Sequence, residues 1–327
     1  MTGLSDSFQR PINYLRISVT DRCNLRCVYC MPEGGVSLMS HADILSYEEI
    51  YKVVEAAAEM GIDRVRLTGG EPLVRTGLSD LVRLVAGIDT ITDIALTTNG
   101  IPLSQYAAEL KDAGLCRVNI SLDTLKPEKF SQITRCGELE DTLKGIEAAH
   151  KAGLDPVKIN MVVMAGINDD EIPEFARRTV NDGWHVRFIE HMPVTDEVPL
   201  IPRLVSVSEM RRSIESLGKL EPCQVKAGNG PAKYFRLPDA TGTIGFITPV
   251  TEHFCYQCNR LRLTADGKLR ACLLSEEEID IKEPLRRGAS ASELKNLIEK
   301  TIASKPEGHR LAEGKKQKGR PFSQVGG

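Results

Sequence analysis

Residues 57–70, AAEMGIDRVRLTGG, read as the end of a helix, a glycine, and a short β-branched strand that opens into two more glycines. The same join recurs as ELKDAGLCRVNISLD (109–123), AHKAGLDPVKINMVV (149–163) and TVNDGWHVRFIEHM (179–192). In each, the glycine (Gly61, Gly114, Gly153, Gly183) stands where a helix ends in a left-handed cap, and a strand-like run follows. A looser copy, VAGIDTITDIALTTNG (85–100), turns at Gly87. The opening run Ile12 to Thr20 brings the expected parallel strands to six. The joins are spaced too irregularly for a solenoid, but normally for βα units with insertions. Alternation of strand and helix predicts an α/β fold with right-handed crossovers, either a doubly wound sheet or a barrel. Polar residues gather in or after the strands: Thr68 to Glu71, Thr97 to Asn99, Ser121 to Asp123, Lys158 to Asn160 and Glu190 to Met192. One such group alone is turn and cap chemistry; five together point to a shared mouth at the strand ends.

The chain has 327 residues, enough for about two domains and a sizeable core. Forty-two Lys and Arg against forty-five Asp and Glu leave a net charge of −3, so no global field draws in nucleic acid or an anionic membrane. Aromatic content of 5% is too low for a base-stacking platform. No long apolar run occurs, and Met1 to Arg10 lack the layout of a signal peptide. The expectation is a cytoplasmic protein with neither membrane nor nucleic acid as partner.

Beyond the sixth strand the grammar changes to a proline-marked link (Pro193, Pro199, Pro202), a helix near Val207 to Leu217, and short strands between turn residues. RLRLTADGKLRACLL (260–274) reads as a hairpin turning at Asp266-Gly267, with two helices expected around Ile281 to Thr301. The expected division is 1–200, 201–304, and a polar, basic tail over 305–327 that reads as mobile.

Six of the nine cysteines form two triplets, Cys23, Cys27, Cys30 and Cys255, Cys258, Cys272. Without an export signal, such groups read as metal ligands or reactive thiols, while the solitary Cys116, Cys136 and Cys223 read as packed side chains. The first triplet, spaced x3 and x2, lies directly after the first strand. A closed zinc site would want a fourth ligand, and the next Cys or His is His41. An iron-sulfur cluster on three thiolates leaves one iron open. CNLRCVYCMPEGG (23–35) resembles the signature of the radical S-adenosylmethionine (SAM) superfamily. That resemblance implies a 4Fe-4S cluster whose open iron binds SAM and whose electron cleaves it to a 5′-deoxyadenosyl radical. Gly69-Gly70-Glu71-Pro72 is similar to the superfamily segment that receives the amino group of SAM. The implied fold is a partial (βα)6 TIM-like barrel, its mouth covered by a smaller C-terminal α+β domain.

In the second triplet the hairpin can return Cys272 beside Cys255 and Cys258. Again a ligand is missing: His253 could complete a zinc site, or a second cluster could keep an open iron for substrate. Arg16, Arg66, Lys158 and Arg187 sit on strands, and Arg260 and Arg262 share a face at period two. Singly each suits an ion pair. Gathered in a lumen they would require an anion, and phosphate fits the guanidinium fork.

FCYQCNRLRLTADGKLRACLL (254–274) and the closing Gly326-Gly327 resemble the GTP 3′,8-cyclase family, which opens molybdenum cofactor biosynthesis; the likeness covers nearly the whole chain. It implies abstraction of the ribose 3′ hydrogen of GTP, attack of C3′ on guanine C8, and closure to 3′,8-cyclo-7,8-dihydro-GTP. Two 4Fe-4S clusters would sit on the two triplets, the second holding guanine. Tyr29, Gly70, Ser121 and Met192 would surround SAM. Arg16, Arg66, Thr97, Lys158 and Arg260-Leu261-Arg262 would contact GTP, and Arg187 would act at the phosphates or the reacting centre. The diglycine would enter the active site, against the mobile reading of the tail. Phe322 departs from the methionine expected before that ending. The family also implies an external reductant, a homodimer, and hand-off to cyclic pyranopterin monophosphate synthase. Two other readings remain at this stage: a radical SAM peptide-modifying enzyme, and a non-catalytic zinc-binding module.

Overall fold

The computed structural model describes residues 3–192, 203–225, 228–309, 311, 320 and 322–326. Pro193, Pro199, Pro202 and the terminal Gly327 lie outside the described residues. Six strands run parallel in chain order: β1 (Tyr14–Ser18), β2 (Arg64–Thr68), β3 (Asp93–Thr98), β4 (Arg117–Ser121), β5 (Lys158–Val163) and β6 (His185–Glu190). The helices between them are α1 (Tyr47–Glu59), α2 (Leu78–Ala86), α3 (Leu103–Asp112), α4 (Pro127–Thr134), α5 (Leu139–Lys151) and α6 (Ile172–Asn181).

Period-two patterning explains the layering. Leu15, Ile17, Val65, Leu67, Leu96, Val118, Ile120, Ile159, Val186 and Phe188 are fully buried in the core that also holds the helices. Each contributes roughly 1.5–3 kcal/mol by leaving water. The alternate residues Arg16, Arg66, Thr97, Ser121, Asn160 and Arg187 turn to the opposite face and line an interior cavity. Helix starts are fixed by local chemistry: Ser46 accepts from the backbone of Glu49, whose side chain returns to the Ser46 amide, closing a capping box on α1. The four join glycines take φ between 69° and 108°, as their left-handed caps require. Gly87 does not; at φ −74° it continues the turn of α2.

The C-terminal segment adds α7 (Val207–Ile214), β7 (Glu221–Pro222), β8 (Lys233–Arg236), β9 (Thr243–Ile247), β10 (Arg260–Leu263), β11 (Lys268–Arg270), β12 (Ile279–Asp280), α8 (Lys282–Arg286) and α9 (Ala291–Ala303). It extends the barrel sheet at both edges. β9 pairs in parallel with β6, and β10 in parallel with β1. Among the described residues one sheet results, in the order β12-β11-β10-β1-β2-β3-β4-β5-β6-β9-β8-β7. It is a barrel left open, its ends carrying short antiparallel strands. β10 and β11 are the expected hairpin, with Gly267 at φ +74°.

The tail departs from its mobile reading at its end. A four-residue helix, α10 (Phe322–Val325), buries Ser323 and Val325, and the Gly326 carbonyl accepts from the Arg262 guanidinium. Arg320 donates to both Asp266 oxygens at 2.9 and 2.7 Å and to Glu278 at 3.0 Å, tying the returning chain to the hairpin. The composition of 305–327 favours solvent, but these bidentate ion pairs fix where the chain re-enters.

Candidate active site

Both cysteine triplets line the same cavity, of about 340 Å³. Cys23, Cys27 and Cys30 occupy the loop after β1. That loop is folded by its own backbone, the Cys30 and Met31 amides donating to the Cys27 carbonyl at 2.9 and 3.0 Å. Arg135 braces it from outside, reaching the carbonyls of Arg26 and Met31 at 3.1 and 3.0 Å. Cys255 opens a single 3-10 turn before β10 that Cys258 closes, Cys272 follows β11, and all three line the cavity.

The thiol environments differ. Burial pushes Cys23 up to about 11 and Cys30 up to about 12, and pushes Cys27 well above the ordinary range, with Glu71 or Asp123 and neighbouring thiols adding to the effect. Burial works the same way on Cys258, but Arg260 and Lys305 overcome it and bring that thiol down to about 7. The donor sets fit the expected inorganic centres: three soft sulfur donors in each group, facing open space. His253 does not line the cavity; its ring lies edge-on to His309 at 5.8 Å.

Beyond the first triplet, the residues expected around SAM cluster on the same wall: Tyr29, Gly70, Ser121 and Met192 all line the cavity. The Tyr29 hydroxyl donates to Asp123 at 2.8 Å, and burial pushes the Asp123 carboxyl up to about 6. Glu71 is fully buried and accepts from Thr98, Asn99 and Leu73 at 2.8, 2.7 and 3.0 Å, joining the ends of β2 and β3. A Cβ on Gly70 would lie 2.3 Å from the Arg22 carbonyl oxygen, so glycine there lets the GGEP turn pack on the cysteine loop.

The strand register assembles the cations. Arg262, Arg16 and Arg66 are direct cross-strand neighbours on β10, β1 and β2. Arg66 donates to Thr97 at 3.2 Å and to the Tyr14 hydroxyl, and Arg187 donates to Asn119 at 2.5 Å. Arg260 lies over the Phe254 ring at 5.0 Å. These acceptors carry no charge, whereas Arg117, lower on β4, is matched by Asp93 at 2.5 and 3.0 Å. The cations therefore repel one another: burial and then mutual charge push Arg16 well below its usual value, and Arg187 and Arg262 to about 10. Lys158 sits outside the cavity lining, 5.4 Å from the Tyr234 ring, and is pushed to about 6 by burial and by Arg187, Arg117 and Arg66. Such a group of charges calls for an anion.

Besides Lys158, other expected site residues stand apart from the lining. Leu261, between two cavity-facing arginines, is 1% exposed and packed in the hydrophobic core, leaving only its backbone to meet a ligand. Gly327 is outside the described residues, and Gly326 packs on the end of β2, where a Cβ would lie 2.4 Å from the Thr68 methyl, without itself lining the cavity. Tyr14, Asn119 and Lys305 escaped the sequence reading, and Asp123 was read only as one of the polar residues at the mouth. Tyr14 and Asn119 occupy the lumen-facing positions of β1 and β4, the one signal that would have found them.

A partial barrel with a cysteine triplet after its first strand defines a radical SAM protein. The description Radical SAM superfamily matches residues 17–179, and Molybdenum Cofactor Synthesis C matches residues 184–311. A GTP 3′,8-cyclase of Pelotomaculum thermopropionicum is 54% identical over 99% of this chain and 100% of its own length. One of Thermodesulfovibrio yellowstonii is 52% identical over the same shares. The chain belongs to the GTP 3′,8-cyclase family. Among solved structures, Streptococcus suis SuiB bound to S-adenosylmethionine superposes with a TM-score of 0.62 at 14% identity, covering 83% of this chain and 64% of that one, a likeness of fold.

Proposed function

We infer that this chain converts GTP to 3′,8-cyclo-7,8-dihydro-GTP, the opening step of molybdenum cofactor biosynthesis. The observation that carries the reading is the meeting of both thiol triplets with Arg16, Arg66, Arg187, Arg260 and Arg262 at one cavity. Cys23, Cys27 and Cys30 would hold a 4Fe-4S cluster, which when bound with SAM supplies the 5′-deoxyadenosyl radical that takes the ribose 3′ hydrogen. Cys255, Cys258 and Cys272 would hold a second cluster against the guanine.

The chain's own residues do the rest. Tyr29, Gly70, Ser121 and Met192 seat SAM beside the first triplet. Arg16, Arg66, Thr97, Lys158, Arg260 and Arg262, with the Leu261 backbone, hold GTP, the cations offsetting its phosphates. Arg187, aimed by Asn119, faces the phosphates or the reacting centre as a charged donor. Gly326 and Gly327 serve the reaction from the tail, a role supported by the hold of Arg262 on the Gly326 carbonyl. In this reading residues 1–200 form the radical SAM barrel, 201–304 the substrate-binding part, and 305–327 a tail whose end is functional. A reductant supplies electrons, the chain works as a homodimer, and product passes to cyclic pyranopterin monophosphate synthase.

Anaerobically reconstituted protein given SAM, dithionite and GTP should consume GTP and release 5′-deoxyadenosine together. Absence of both products would end the reading.

A further inference from the structure

Lys305 lies two residues beyond α9, in no motif, yet is only 3% exposed. Its Nζ donates to the Arg260 carbonyl at 2.7 Å and the Ala271 carbonyl at 2.6 Å. The Cys258 thiol lies beside it, close enough for the lysine charge to lower that thiol's proton affinity. An ammonium has three N–H groups, and two of them are taken by these carbonyls. Arg260 follows Cys258 by two residues and Ala271 directly precedes Cys272. One ammonium therefore spans both arms of the hairpin that carries the triplet.

Arg10 offers a contrast on the same loop. It donates to the Cys255 carbonyl at 2.8 Å, but its own charge is matched by Asp6 at 2.5 Å. The groups of favourable charge facing Lys305 are the Cys258 and Cys272 thiols. Burying an ammonium against two carbonyls and a thiol is unfavourable unless that sulfur becomes anionic, as it does on metal binding. A backbone staple alone would not need the charge.

We propose that Lys305 is the positioning residue of the second triplet, clamping its two arms and holding a positive charge against the Cys258 sulfur of the bound cluster. This rests on the reading that the triplet carries a cluster. Hydrogen bonds and positive charge at a cluster sulfur favour the reduced state, so the residue sets retention and potential together.

The test uses the reconstituted full-length enzyme, with iron counting, redox titration of the second cluster, and SAM cleavage as a check on the first. Wild type should hold about eight irons per chain. Lys305→Met should fall toward about four with SAM cleavage intact, or keep its iron and reduce the second cluster only at more negative potential. Unchanged iron and unchanged potential would overturn the proposal. Should the apolar variant not fold, Lys305→Gln keeps N–H donors without charge: a negative shift supports the proposal, and an unchanged potential or loss of both clusters overturns it. Wild type holding only about four irons would instead refute the two-cluster reading itself.

Discussion

The first thiol triplet and Cys258 of the second face one cavity from opposite electrical settings. Around the first stand acids: Asp123 near Cys27 and Cys30, and Glu71 near Cys23, with burial adding its own penalty. Around Cys258 stand Arg260 and Lys305, strong enough to reverse the effect of burial. Within the second triplet burial still pushes Cys255 up, so the contrast lies between the first triplet and Cys258. The difference teaches that spacing alone does not set how readily a cysteine group takes up metal, since binding must release whatever protons the thiols hold.

Removing one ligand from each side should separate their roles most sharply. Cys27→Ala should abolish SAM cleavage and GTP consumption together, a loss of several orders of magnitude in radical formation. Cys258→Ala should retain SAM cleavage and lose cyclisation. Product analysis by chromatography checks this, and equal loss of 5′-deoxyadenosine in both would erase the distinction.

Reactivity without metal gives the next largest effect. At pH 8 Cys258, at about 7, is mostly thiolate, while Cys23 and Cys30, at about 11 and about 12, are thiols. Iodoacetamide should therefore label Cys258 more than roughly tenfold faster than either, after allowing for the lower nucleophilicity of an acidic thiol. Lowering the pH through 7 should slow Cys258 and leave the already slow pair unchanged. Peptide mapping by mass spectrometry reads the ratio, and equal rates would contradict the contrast.

The smallest effect concerns the cations between the triplets. Lys158, depressed to about 6, is neutral at pH 8 in the free protein. A polyanion placed among its cationic neighbours raises its affinity for a proton, so GTP binding at pH 8 should take up about one proton per chain. At pH 5 Lys158 is already charged and uptake should vanish. Calorimetry in buffers of different ionisation enthalpy measures this, and zero uptake at pH 8 would remove Lys158 from the anion site.

Much of this was legible in the residues. The helix-glycine-strand joins marked four of the six parallel strands through left-handed caps and β-branched runs, which are local signals, and the looser join at Gly87 marked β3 without such a cap. The hairpin between Cys258 and Cys272 was legible for the same reason. What stayed hidden is non-local. Pairing of β9 with β6 and of β10 with β1 depends on edges that only the folded barrel creates. Lys305 and Arg135 act through backbone carbonyls far away in sequence, and carbonyls leave no trace in side-chain patterning. The tail looked solvated because its captors, Asp266 and Arg262, lie more than fifty residues upstream. Leu261 is instructive in the other direction: strand alternation between Arg260 and Arg262 already places its side chain in the core.

The measurement that bears most directly on two centres facing one chamber is an iron and ligand count after deleting one triplet. Anaerobically reconstituted wild type should hold about eight irons per chain, and protein with Cys255, Cys258 and Cys272 all replaced by alanine about four. Both should bind SAM, but only wild type should bind GTP tightly. Equal iron in the two proteins, or tight GTP binding without the second triplet, would contradict the account.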